Sequence, residues 1–245
     1  MIGVSHAGKI GDAIYSLPTV RMLLKKHGQT KVDFYTSTQC SPMVPFMQAQ
    51  ECIRKVEVVD GVLNDTSDPK MFVVRFDGIP KDRYEAFYDL SFHSFPNEVL
   101  PSFMARQEGF EWDGSLRYDC PKTPLKGDYM VINAKVDEWP EMFPIFDNLV
   151  QKSPYPVVVV GRKGQYIGGG LDLTGLDMLE MASVISGARA FVGNLSAPLT
   201  IAQGFPIPKV VVYQENQWAS FHVLRDRLTR YLEMPTAKRI LGELK

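Results

Sequence analysis

The residues of this chain best suited to chemistry stand close to its start. Gly3-Val-Ser-His-Ala-Gly8-Lys9 fits the first seven positions of a phosphate-cradling loop, G-x-x-x-x-G-K. The next position must be Ser or Thr to ligate Mg²⁺, and here it is Ile10, which disfavours a nucleotide hydrolase. What remains is a loop in which Gly8, Lys9 and Gly11 lie at the entrance to a helix, where backbone N–H groups and the helix dipole favour an anion. Asp12 follows at the helix start. A carboxylate there either caps the helix or, facing the ligand crevice at the carboxyl end of a strand, takes a proton from a hydroxyl. His6 is the alternative base in the same loop.

The second half carries a comparable constellation. Phe191-Val-Gly193-Asn194-Leu-Ser196-Ala197-Pro198 reads as strand, turn and helix, whose first-turn N–H groups and Ser196 hydroxyl suit a pyrophosphate. A capping Ser followed by a first-turn Pro explains the same residues without a ligand. Gly161, Arg162 and Lys163 follow a run of four valines, Val157 to Val160, so both cations stand at the carboxyl end of a strand, either as partners for a diphosphate or as solvated loop cations.

The elements that must position these residues alternate along the chain. Strands are expected at Met1 to Ser5, Lys31 to Thr36, Arg54 to Val59 and Ala86 to Leu90, with a loop from His6 to Gly11 and a helix closed by Gly28. Asn64 to Pro69 is polar and irregular. After a proline- and turn-rich stretch, Tyr118 to Asp128, the pattern restarts. Strands are expected at Tyr129 to Asn133, Pro156 to Val160, Ala190 to Val192 and Lys209 to Tyr213. Helices are expected at Met142 to Val150, Leu179 to Ile185 and from near Ser196. The tail from Ser220 to Leu244 reads as helical, interrupted at Pro235. This is an α/β chain with mostly parallel sheets: a Rossmann-like domain over 1–125, a second over 126–225 and a helical tail over 226–245.

Composition narrows the function classes. The 245 residues are 45% hydrophobic and 22% charged, which excludes disorder, collagen-like repeats and coiled coil. Lys and Arg number 27 against 28 for Asp and Glu, so the net charge of -1 gives no global attraction to nucleic acid or anionic lipid. Cys40, Cys52 and Cys120 are widely spaced, odd in number and without a C-x-x-C pair; a disulfide framework and a zinc site are not expected, and a reducing cytoplasm is. No apolar run is long enough to span a bilayer.

Gly11-Asp12-Ala13-Ile14 with Leu17-Pro18, followed by Asp172-Leu-Thr-Gly175 and Phe191-Val-Gly193-Asn194-x-Ser196-x-Pro198, resembles the heptosyltransferase-type (family 9) glycosyltransferases of the GT-B fold. The resemblance runs over both halves of a chain compact for that family. It implies two Rossmann-like domains with parallel sheets facing across a cleft. It also implies a nucleotide-sugar bound mainly by the second domain as substrate, no metal, no further cofactor, and a general base at Asp12. Departures are specific. The family's Asp-Ser/Thr-Gly-Pro-x-His motif reads here Leu195, Ser196, Ala197, Pro198, Leu199 and Thr200, so both Asp and His are missing and Thr200 offers a neutral hydroxyl. The lysine usual two positions before a Trp-Pro pair is Asp137 here, with Lys135 as its substitute.

The expected function is metal-independent, inverting sugar transfer from a nucleotide-sugar to an acceptor hydroxyl. The acceptor is a glycan of lipopolysaccharide type or a hydroxymethylated DNA base; for the DNA base, Arg225, Arg227, Arg230, Lys238 and Arg239 would meet phosphates. The helix Thr19 to Lys26 contributes only Arg21, Lys25 and Lys26 as membrane-facing cations. A catalytically degenerate nucleotide-binding scaffold is the alternative, motivated by the missing Asp and His.

Overall fold

The computed structural model describes residues 1–63, 74–76, 78–92, 96–214, 224 and 226–244. The stretch Asn64 to Pro69, Arg225 and the start of the tail at Ser220 lie outside the described residues. Two compact units divide the chain, one over Met1–Asp119 and one over Cys120–Ala219 and Leu224–Lys245.

In the first unit β1 (Ile2–His6), α1 (Ile10–Tyr15), α2 (Leu17–His27), β2 (Val32–Ser37), α3 (Val44–Gln48) and β3 (Ile53–Val59) follow in order. Next come the short antiparallel pair β4 (Gly61–Leu63) and β5 (Val74–Phe76), then β6 (Ala86–Asp89) and α4 (Leu100–Gln107). The main sheet has the order β3-β2-β1-β6, and every pairing in it is parallel, with Ile2 opposite both Val32 and Ala86. β1 and β2 are buried along their whole length, which is why their sequences do not alternate. Gly3 belongs to this packing: a Cβ there would lie 2.8 Å from the rings of Phe87 and Tyr84. It serves the strand rather than a phosphate loop. The single helix expected before Gly28 is two, because Pro18 has no N–H to continue the ladder and the Ser16 hydroxyl donates to the Ala13 carbonyl at 2.6 Å. Gly28, at φ 62°, closes α2 as expected, with the Gln29 N–H reaching the Leu24 carbonyl.

The second unit contains β7 (Met130–Asn133), α5 (Phe143–Lys152), β8 (Val157–Gly161), β9 (Leu171–Thr174), α6 (Met178–Ser186) and β10 (Ala190–Gly193). It continues with α7 (Ala197–Ala202), β11 (Lys209–Tyr213), β12 (Thr229–Glu233) and α8 (Ala237–Glu243). Its sheet runs β12-β11-β10-β7-β8-β9, again all parallel. Counted within the unit, this is the 3-2-1-4-5-6 order of the Rossmann fold, with its topological switch between β7 and β10. Ile132, Phe146, Leu149, Val159, Val192 and Val212 lie in its core. α6 opens with a reciprocal capping box, Asp177 accepting the Leu179 and Glu180 N–H groups and Glu180 accepting that of Asp177.

The tail departs from the expected helix. Thr229–Glu233 carries β-branched Thr229 and aromatic Tyr231 on alternate positions and pairs with β11, and of the described tail only Ala237–Glu243 is helical, capped by the Thr236 hydroxyl. Arg230 of this strand lies 3.6 Å from Glu243. Among the described residues no helix is long and apolar enough to cross a membrane, and the three cysteines are free thiols.

Candidate functional site

In the first unit the switch falls between β1 and β6, and the residues from His6 to Asp12 occupy its carboxyl edge. The loop is only Ala7 to Lys9, and each of its N–H groups is bonded to a side chain of the first unit. Ala7 donates to the Ser91 hydroxyl at 2.9 Å, Gly8 to His6 Nδ1 at 3.0 Å, and Lys9 to Asp12 Oδ2 at 3.2 Å. The Gly8 and Lys9 N–H groups expected to cradle an anion thus already have partners in the first unit. A Cβ on Gly8 would stand 2.6 Å from His6 Cε1 and 3.3 Å from Asp12 Oδ2, so glycine lets these two side chains close on the loop. Gly11 is the second residue of α1.

Asp12 is 7% exposed, and this burial pushes its carboxyl up to about 7, against the opposing pull of the Lys9 N–H and ammonium. It is poised to exchange a proton near neutrality. His6, the alternative base, is unsuited. Its Nδ1 lone pair accepts the Gly8 N–H, which puts the ring proton on Nε2, an atom with no hydrogen-bond partner among the described residues. Burial pushes the imidazole down to about 4, with Asp89 opposing, and Phe92 meets its ring edge-on at 5.6 Å. Asp89 and Ser91, which the sequence reading missed, anchor the loop: Asp89 Oδ1 accepts from the Ser5 and Ser91 hydroxyls at 3.1 and 2.6 Å. Their signal was position, at the carboxyl end of β6.

In the second unit two buried asparagines lace the strand tips around the switch. Asn133 donates from Nδ2 to the Val160 carbonyl at 3.0 Å and accepts from the Ser196 hydroxyl at 2.8 Å. Asn194 accepts the Lys135 N–H at 2.9 Å and donates to the Val212 carbonyl at 3.1 Å. Carbonyls and side chains of β7, β8, β10 and β11 are thereby tied together. The lacing requires small residues. A Cβ on Gly193 would lie 2.9 Å from the Asn133 carbonyl oxygen, and one on Gly161, at φ 143°, 2.5 Å from Gln165 Oε1. Asn133 and Gln165 were not singled out in sequence; the sign is an amide at the carboxyl end of β7 for Asn133 and one in the turn after β8 for Gln165.

This geometry gives several residues expected at the donor partners of their own. The Ser196 proton is committed to Asn133 or to the Asn194 carbonyl, and Ser196 makes no side-chain cap on α7. Ala197 and Pro198 form the first turn of α7, Pro198 without an N–H. Thr200, where the family carries His, is buried and aims its hydroxyl at the Ser196 carbonyl, 3.4 Å away on its own helix.

No protein-family profile matches the chain, and no curated protein does. Solved structures do. A family 9 glycosyl transferase from Veillonella parvula shares 12% identity over 99% of this chain and 95% of its own, with a TM-score of 0.68. The E. coli heptosyltransferase WaaC, solved with ADP, shares 12% identity over the full length of both chains at a TM-score of 0.69. The E. coli ADP-heptose lipopolysaccharide heptosyltransferase II gives 12% identity, 100% and 97% coverage, and 0.69. The chain has the family 9 glycosyltransferase fold. On this GT-B-like frame Lys135, Arg162 and Lys163 follow β7 and β8 at the carboxyl edge of the second unit's sheet, and two of them are already paired. Glu138 meets Lys135 through Oε2 and Arg162 through Oε1, the latter at 2.7 Å. Asp137, at the position of the family lysine, meets Arg162 at 2.7 Å and is held by the Gln165 amide at 2.7 Å. Lys163 is exposed and has no ion pair to a described residue. Among the described residues no group of three or more His, Cys, Asp or Glu side chains is placed to hold a metal. Of the cations on α2, Arg21 and Lys25 line a cavity of about 320 Å³ with Trp112 and Arg117, and Lys26 lies over the Phe110 ring.

Proposed function

We propose that this chain is a glycosyltransferase that moves a sugar from a nucleotide-sugar to an acceptor hydroxyl with inversion and without a metal. The observation that carries the reading is Asp12: a nearly buried carboxylate at the carboxyl edge of β1, oriented by a backbone N–H and shifted to about 7. In the proposed reaction Asp12 takes the acceptor's hydroxyl proton while that oxygen bonds to the anomeric carbon. The bond from that carbon to the diphosphate oxygen breaks, and its electron pair leaves with the nucleotide. The all-parallel Rossmann sheet of the second unit supports placing the diphosphate at its switch edge, where Lys135, Arg162 and the uncapped first turn of α7 stand. A sugar hydroxyl of a surface glycan is the proposed acceptor class.

The similarity to a structure holding ADP makes ADP and ADP-sugars the first probes, alongside the uridine, guanosine and cytidine series. Binding to the native state alone raises stability by about 2.7 kcal/mol at a hundredfold excess over Kd, which is easily read as a thermal shift. The expected result is a shift with one nucleotide series, unchanged by EDTA, and loss of transfer in Asp12→Asn with the shift retained. Absence of a shift with every nucleotide, from protein that unfolds cooperatively, overturns the reading.

A further inference from the structure

Glu138 stands where an anion would. Its two carboxylate oxygens bridge two cations, Oε2 to Lys135 Nζ and Oε1 to Arg162 Nη2 at 2.7 Å, much as two oxygens of a phosphate would. Both cations stand at the carboxyl edge of the second unit's sheet: Lys135 two residues beyond β7, its N–H fixed by Asn194, and Arg162 directly after β8. Asp137 differs from its neighbour. It is clamped by the Gln165 amide as well as by Arg162, and Gln165 is itself pinned, accepting the Arg162 N–H at 3.0 Å. Glu138 has no such second tie to a described side chain: both its ion-pair partners are the cations themselves, although the two carboxylates are equally exposed.

We infer that Glu138 is a placeholder carboxylate: it holds Lys135 and Arg162 in position before a donor binds and is displaced by the incoming diphosphate, so that it sets the affinity for the donor. This rests on the nucleotide-sugar reading. Asp137 stays on Arg162 in both states, and the charge exchange at the site is one carboxylate for one phosphate group. Exposed ion pairs of this kind are weak, so displacement is easy, yet the expelled carboxylate remains near the bound phosphates and repels them. Removing its charge therefore tightens binding, by about three- to tenfold from the repulsion of like charges several ångströms apart at a protein surface.

The experiment titrates ADP, UDP, GDP and CDP into the 245-residue chain and into Glu138→Gln, Asp137→Asn, Lys135→Ala and the double variant Lys135→Ala/Glu138→Gln, with folding checked by thermal unfolding. The expected result has four parts: one nucleotide binds the wild type, Glu138→Gln binds it about three- to tenfold more tightly, Asp137→Asn gains little, and most of the gain is lost in the double variant. Equal or weaker binding by folded Glu138→Gln, or an equal gain from Asp137→Asn, overturns the placeholder role while leaving nucleotide binding intact. Binding detected only in Glu138→Gln supports it. Failure of both the wild type and Glu138→Gln to bind any of the four overturns it together with the nucleotide-sugar reading.

Discussion

Asp12 shows what a single carboxylate gains and loses by burial. In the unfolded chain it ionises in the ordinary carboxylate range, and in the folded chain near 7. Between those values the folded state holds a proton that the unfolded state has released, so stability falls as pH rises through the window and levels off above it. Asp12→Asn keeps an oxygen for the Lys9 N–H and carries no charge. It is expected to gain stability relative to the wild type progressively from about pH 4 to 7, by a few kcal/mol at most, while transfer falls about 10²- to 10⁴-fold. Urea unfolding of both proteins at pH 5 and pH 8, beside single-turnover rates, checks both halves; equal stability gaps at the two pH values contradict the buried-carboxylate argument. The position of Asp12 was legible from its glycine loop and helix start. The exclusion of His6 was not, because it depends on which ring nitrogen the Gly8 N–H reaches, a contact that no spacing encodes. Ser196 was found but its partner was not, for the same reason: Asn133 is distant in sequence and adjacent only across the sheet.

Elements tell a similar story through β2. Asp33, fully buried on that strand, receives Arg54 Nε at 2.6 Å and the Tyr84 hydroxyl at 2.8 Å, and Tyr84 in turn meets the Tyr35 hydroxyl at 2.6 Å. Burial alone would raise its carboxyl; the hydrogen bonds from Arg54 and Tyr84, with Lys55 nearby, reverse that and hold it below the ordinary range. The stability this group supplies is present above its unfolded value and is lost as pH falls through its folded one, the opposite sense to Asp12. Asp33→Asn is expected to cost about 1–3 kcal/mol at neutral pH, discounted because Arg54 is half exposed, and to flatten the acid limb of the stability curve. Urea midpoints between pH 2 and 7 measure this, and an unchanged acid limb counts against it. The β-branched runs made the central strands legible. α4 and β12 were missed although each carried a sign, Pro101 in the first turn of α4 and Thr-x-Tyr alternation in β12. Both are short, and the tail's charged residues suit a helix as well as an edge strand. The break between α1 and α2 was written in Pro18, whose missing N–H the helical periodicity concealed.

At the scale of the molecule each unit has its own parallel sheet and its own core. A fragment beginning at Cys120 is therefore expected to unfold cooperatively by itself and to bind the nucleotide with an affinity within a few-fold of the full chain. Calorimetry and titration of that fragment decide it; a fragment without a cooperative transition refutes the independence of the second core. The central strands also carry a consequence for time rather than structure. No hairpin joins neighbours in either main sheet, and the pairings that create the two switch edges, Ile2 with Ala86 and Met130 with Ala190, join residues far apart in the chain. Such pairings are entropically expensive to close and form late on the route to the native state. The ligand edges are then among the last features to appear, and a nucleotide has nothing to grip in the transition state. Adding it should leave the refolding rate unchanged and slow unfolding alone, so that the ligand acts on the lifetime of the native protein and not on the speed of its birth.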